Sequence, residues 1–120
     1  MTELTAITVT VSHIVSDLIA SLLAARAPVA VAERFTTRHA AEAWISLHRA
    51  ELIIVGAPED EAGDVISRFL ALAPGATVLA LSDDGRRARV RADGTSERLL
   101  SDVSPDQLAD AVLAFLGARS

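Results

Sequence analysis

The chain has 120 residues, of which 51% are apolar, and a formal net charge of -5. That length and apolar content fit one domain, residues 1–120, with an ordinary core, and exclude a disordered chain. The absence of cysteine excludes disulfides and thiolate chemistry and fits a reducing cytoplasm, while the acidic balance excludes a domain that coats nucleic acid.

Residues 6–11 alternate apolar residues with threonine and are largely β-branched, which predicts a first strand. Ile14, Val15, Leu18, Ile19, Leu22 and Leu23 then recur at helical spacing, giving a helix over residues 15–27 that Pro28 ends. Residues 29–35 form a second strand. Thr36 or Thr37 caps a second helix, with Ala40, Ala43, Trp44 and Leu47 as its buried stripe. Residues 52–55 are a continuous apolar run, as in a strand covered on both faces. Gly56, Ala57 and Pro58 break it, and a third helix follows with Val65, Ile66, Phe69, Leu70 and Leu72 inward, stopped by Pro74 and Gly75. Residues 77–81 are a fourth apolar strand, and residues 98–100 are the candidate fifth. Ser104, Pro105 and Gln107 make a capping box ahead of a last helix, whose inner stripe is Leu108, Ala111, Val112 and Phe115 and whose stop is Gly117. No apolar run approaches the roughly 20 residues of a membrane span, and no positive charge precedes an apolar run at the start, so neither membrane insertion nor a signal peptide is expected.

Strands alternating with helices predict a doubly wound, mostly parallel sheet of about five strands, with functional residues at the strands' carboxyl ends. Element order and three segments, residues 50–55, 72–82 and 99–108, resemble the receiver domain of two-component response regulators, particularly those joined to LuxR-type DNA-binding domains. The resemblance implies a flavodoxin-like fold and a site built from an acidic pair, a phosphoaccepting aspartate, a hydroxyl and a lysine. A carboxylate nucleophile facing an anionic phosphoryl donor needs Mg²⁺ and the lysine to offset charge. Here the acidic pair falls on Ser12 and His13, the phosphoacceptor on Gly56 and the lysine on Ser101. The hydroxyl alone survives, as Ser82. The resemblance therefore implies a receiver-like module that is not an enzyme, has no metal or other cofactor, and acts by contacts with a protein partner or a second copy.

The stretch from residue 83 to residue 98, where that family places a helix, reads differently. Residues 87–92 alternate with period two and Asp93-Gly94 follows, the signature of a hairpin pairing 87–92 with 95–100. A short helix is the competing reading, but Val90 alone gives it little apolar face. Arg86, Arg87, Arg89 and Arg91 crowd this segment. Guanidinium forks suit phosphate and carboxylate, so the cluster is a candidate site for a partner or a small anionic ligand. Some receiver-like proteins bind cyclic di-GMP through arginine-rich segments, so the resemblance makes a cyclic dinucleotide the specific alternative. A solvated edge that resists aggregation, with Asp83, Asp84, Asp93 and Glu97 neutralising the arginines, is the plainer reading.

His13 at a strand end is also placed as in the phosphohistidine site of mannose-type phosphotransferase IIA proteins, a resemblance confined to the first strand and helix. His39 and His48 lie nine residues apart on one predicted helix and face opposite sides, so they do not share a metal.

Overall fold

The computed structural model describes residues 4–11, 13–26, 29–82, 86–92, 97–102 and 104–117. Six strands and four helices follow one another: β1 (Leu4–Val9), α1 (His13–Arg26), β2 (Val29–Phe35), α2 (Arg38–Ile45), β3 (Leu52–Gly56), α3 (Ala62–Leu72), β4 (Thr77–Leu81), β5 (Ala88–Ala92), β6 (Arg98–Leu100) and α4 (Pro105–Gly117). The strands form one sheet in the order β2-β1-β3-β4-β5-β6. β2, β1, β3 and β4 are mutually parallel. β5 is antiparallel to β4, and β6 is antiparallel to β5.

The sheet is thus mixed and six-stranded, which corrects the expectation of about five mostly parallel strands. The hairpin is present, pairing Ala88 with Leu100, Arg89 with Leu99 and Val90 with Arg98. Its turn, with Asp93 and Gly94, lies outside the described residues. The hairpin inserts its first strand directly beside β4, so residues 98–100 do not neighbour β4 but form the outer edge.

Two layers of helix cover the sheet. On one face Ile7, Val9, Ile53, Val55, Val78 and Ala80 meet Ala41 and Ile45 of α2 and Val65, Ile66 and Phe69 of α3. On the other, Ala6, Leu52, Ile54, Leu79, Leu81, Ala88 and Val90 meet Ile19 and Leu23 of α1 and Leu108, Ala109 and Val112 of α4. The strand period of two sends successive side chains to opposite faces. In β5 this puts Ala88, Val90 and Ala92 in the core beneath α4 and leaves Arg89 and Arg91 on the α3 face.

Local signals account for the helix ends. Ser104 and Gln107 make the capping box: the Ser104 N–H donates to Gln107 Oε1 at 2.9 Å, and the Gln107 N–H donates to Ser104 Oγ at 3.3 Å. Thr37 Oγ1 accepts from the Ala40 N–H at 3.2 Å and starts α2. The buried stripe of α2 is Ala41 and Ile45, not the predicted Ala40, Ala43 and Leu47. The helix ends at Ile45, so Leu47 falls beyond it and is 82% exposed. Trp44 is half-buried between Phe35, 6.1 Å away by ring centroids, and the stacked ring of His48 at 4.6 Å. His48 sits in the turn after α2 rather than on the helix. Leu72 of α3 is only partly buried. No helix among the described residues is long and apolar enough to cross a membrane.

Val90 is fully buried between β4 and α4. Val90→Ala is expected to lower the unfolding free energy by about 2 kcal/mol, from lost methyl burial and the void left behind. Arg98→Ala, on the exposed edge, should stay within about 0.5 kcal/mol. Urea titrations of both variants check the alternation, since a helix over this segment would not separate the two so sharply.

Candidate functional site

The carboxyl ends of β1, β3, β4 and β6 and the amino end of β5 share one rim of the sheet, because β5 runs the other way. In sheets of this kind ligands bind where the strand order reverses, which here is between β1 and β3. That crevice is closed by Thr10. Its backbone takes a left-handed conformation, φ 54°, unusual for a β-branched residue. Its N–H donates to the Phe35 carbonyl at 2.8 Å, and its hydroxyl donates to the Gly56 carbonyl at 2.7 Å. A Cβ built on Gly56 would stand 2.5 Å from the Thr10 carbonyl oxygen. Glycine is therefore needed at 56 for close backbone approach, and a Cβ there has no room.

β1 ends at Val9, two residues short of the predicted Val11. Ser12 lies outside the described residues. His13 is the first residue of α1, and its side chain lies outside the described part. Asp83 and Asp84 are likewise outside.

An open cavity of about 70 Å³ lies further along the rim, at the hairpin. Ser82, Arg87, Arg89, Leu99 and Ser101 line it together with Glu59, in the loop after β3, and Ala62, the first residue of α3. Two hydrogen bonds close the loop from β4 to β5: the Ser82 N–H donates to the Arg87 carbonyl at 2.9 Å, and the Arg87 N–H donates to Ser82 Oγ at 3.1 Å. Arg87 Nη1 meets Glu59 Oε2 at 2.6 Å, and Arg89 Nη1 meets Glu97 Oε2 at 3.5 Å. Both pairs keep substantial contact with solvent, where such pairs contribute about 0–1 kcal/mol.

The predicted residues thus divide. Ser82 and Ser101 come together on one cavity wall with Arg87 and Arg89, although the inserted β5 separates their strands. Gly56 stands apart beside Thr10. Arg91 is half-buried farther along the α3 face, and Arg86 is exposed. Sequence reasoning missed Thr10, Glu59 and Leu99. Thr10 sits in a stretch that reads as strand, and nothing in residue type marks its left-handed turn. Glu59 belongs to a loop whose path the alternation pattern does not fix. Among the described residues no cluster of three His, Asp or Glu is placed to hold a metal ion. Hydroxyl and guanidinium donors around a small opening can bind an anion.

No family model matches this chain, and no curated protein or solved structure matches it.

Gly56→Ala is expected to cost about 1–3 kcal/mol, because the added methyl meets backbone rather than a movable side chain. Urea unfolding should show a lower midpoint with an unchanged slope. Thr10→Ser, which keeps the hydroxyl, should cost less than Thr10→Ala.

Proposed function

We propose that the chain is a receiver-like regulatory module that works without phosphorylation, through a protein contact made at its hairpin. The observation that supports this reading most is the closure at Gly56. Thr10 occupies the space where a phosphoaccepting side chain would have to stand. Receiver-like order persists in the parallel part of the sheet, β2-β1-β3-β4, with helices on both faces. The change is concentrated in the hairpin that stands where the resemblance places a helix.

The hairpin also sets the contact surface. Arg89, Arg91 and the 63% exposed Leu99 lie on the α3 face, and Arg86 and Arg87 lie at the rim. Arginine flanking an exposed leucine is the kind of surface that enriches at protein interfaces. An acidic partner segment would exchange with the weak internal pairs to Glu59 and Glu97. The module acts in the cytoplasm in this reading, needs no metal, and does not bind nucleic acid.

Incubation with acetyl phosphate and Mg²⁺ is expected to leave the intact mass unchanged. A stoichiometric, hydroxylamine-labile phosphoryl adduct would overturn the phosphorylation-independent reading. In capture from host lysate, a variant with alanine at Arg86, Arg87, Arg89 and Arg91 is expected to lose a protein that the wild type holds, with circular dichroism unchanged. Identical captures would remove the hairpin as the contact surface.

A further inference from the structure

We infer that the hairpin-rim cavity is a binding site for a small phosphate monoester, with the phosphoryl group held by Arg89, Arg87 and Ser82 and the organic group resting on Leu99. The inference does not depend on the regulatory reading, because it rests on the cavity alone.

Size comes first. An open cavity of about 70 Å³ has room for one tetrahedral oxyanion. Donors come next. Arg87, just before β5, and Arg89, on β5, line the same opening, together with Ser82 after β4 and Ser101 after β6. Guanidinium forks hold phosphate oxygens in pairs, which a carboxylate at the outer limit of hydrogen bonding does not match. Glu97 is such a carboxylate, 3.5 Å from Arg89 Nη1.

The placement of Arg89 is the most telling feature. A Cβ built on Gly63 would stand 3.5 Å from Arg89 Nη1, so the guanidinium lies against the first turn of α3. That helix end carries positive partial charge, where a cation is disfavoured, and its cap residue Glu61 makes no side-chain capping bond. An anion in the cavity would add to the acidic groups already facing these charges, Glu97 at Arg89 and Asp64 in the first turn of α3. Glu59 and Glu97 hold the arginines while the cavity has no anion and compete with one that enters. Leu99 lines the opening and is 63% exposed, an apolar lip next to a polar pocket, which favours an ester over the free ion.

Two-dimensional amide spectra of the whole chain, titrated with inorganic phosphate and with phenyl phosphate at constant ionic strength, test this. The expected result is saturable shifts at Ala62, Ser82 and Ser101 at low millimolar phosphate, with phenyl phosphate tighter by a few-fold. Arg89→Gln should weaken both ligands about tenfold or more. Glu97→Gln should tighten both by removing the internal competitor, a gain that a merely structural role for this pair would not give. Leu99→Ser should erase the preference for phenyl phosphate only. Arg68→Gln, at the ion pair of Arg68 with Glu42 between α2 and α3, should change nothing at the cavity. No saturable shift up to tens of millimolar, equal response to acetate, or equal weakening by Arg68→Gln would overturn the site. The adduct and capture experiments above read different events, so either reading can fail while the other stands.

Discussion

The antiparallel pairing of β5 with β4 governs the rest of this structure. It brings Ala88, Val90 and Ala92 onto the face that α4 covers, and this burial gives the hairpin its place in the core. The same register puts Arg89 beside Ala80 and Arg91 beside Val78 on the opposite face. On that face the arginine stems lie along the sheet while their heads reach solvent. The pairing also moves the edge outward. β6 has three residues and stops where Asp102 turns left-handed at φ 52°, so the exposed edge is short, as edges that avoid aggregation are.

A second constraint acts at the other end of the rim. Thr10 and Gly56 approach so closely that the crevice at the strand-order reversal is filled by backbone. The two constraints together shift the open space from β1/β3 to β4/β5/β6. A ligand entering there meets Arg87, Arg89, Ser82 and Ser101 beside the carboxylate of Glu59.

Most of the frame was legible in the sequence because burial leaves a periodic record. β2, β4 and the core of β3 lie where the apolar runs place them, and the capping box marks α4 before any coordinate is known. The hairpin was legible from the period-two alternation of arginine with small apolar residues. Its position was not, because alternation says which residues share a face but not which strand they pair with. That is why the sheet has six strands in mixed orientation rather than about five in parallel. The α2 stripe was misread for a related reason. Eight residues make barely two turns, and Leu47, which fits a helical stripe, lies past the end. Of the candidate site, Ser82, Ser101, Arg87 and Arg89 were named in advance, but as members of two separate groups. Their meeting depends on β5 standing between their strands.

The charge balance of the rim shows why arginine is tolerated at such density. Arg87 and Arg89 each have a glutamate from another segment, Glu59 from the loop after β3 and Glu97 from the hairpin itself. Exposed pairs of this kind hold little energy by themselves. Buried pairs would bind more rigidly but would resist exchange, since breaking one leaves a desolvated charge. A surface meant only to stay soluble needs no cavity beside its charges. Here the paired arginines line an opening with two serines and an exposed leucine. In the proposed site an entering anion would exchange with these glutamates, a consequence of where β5 stands rather than of the number of its charges.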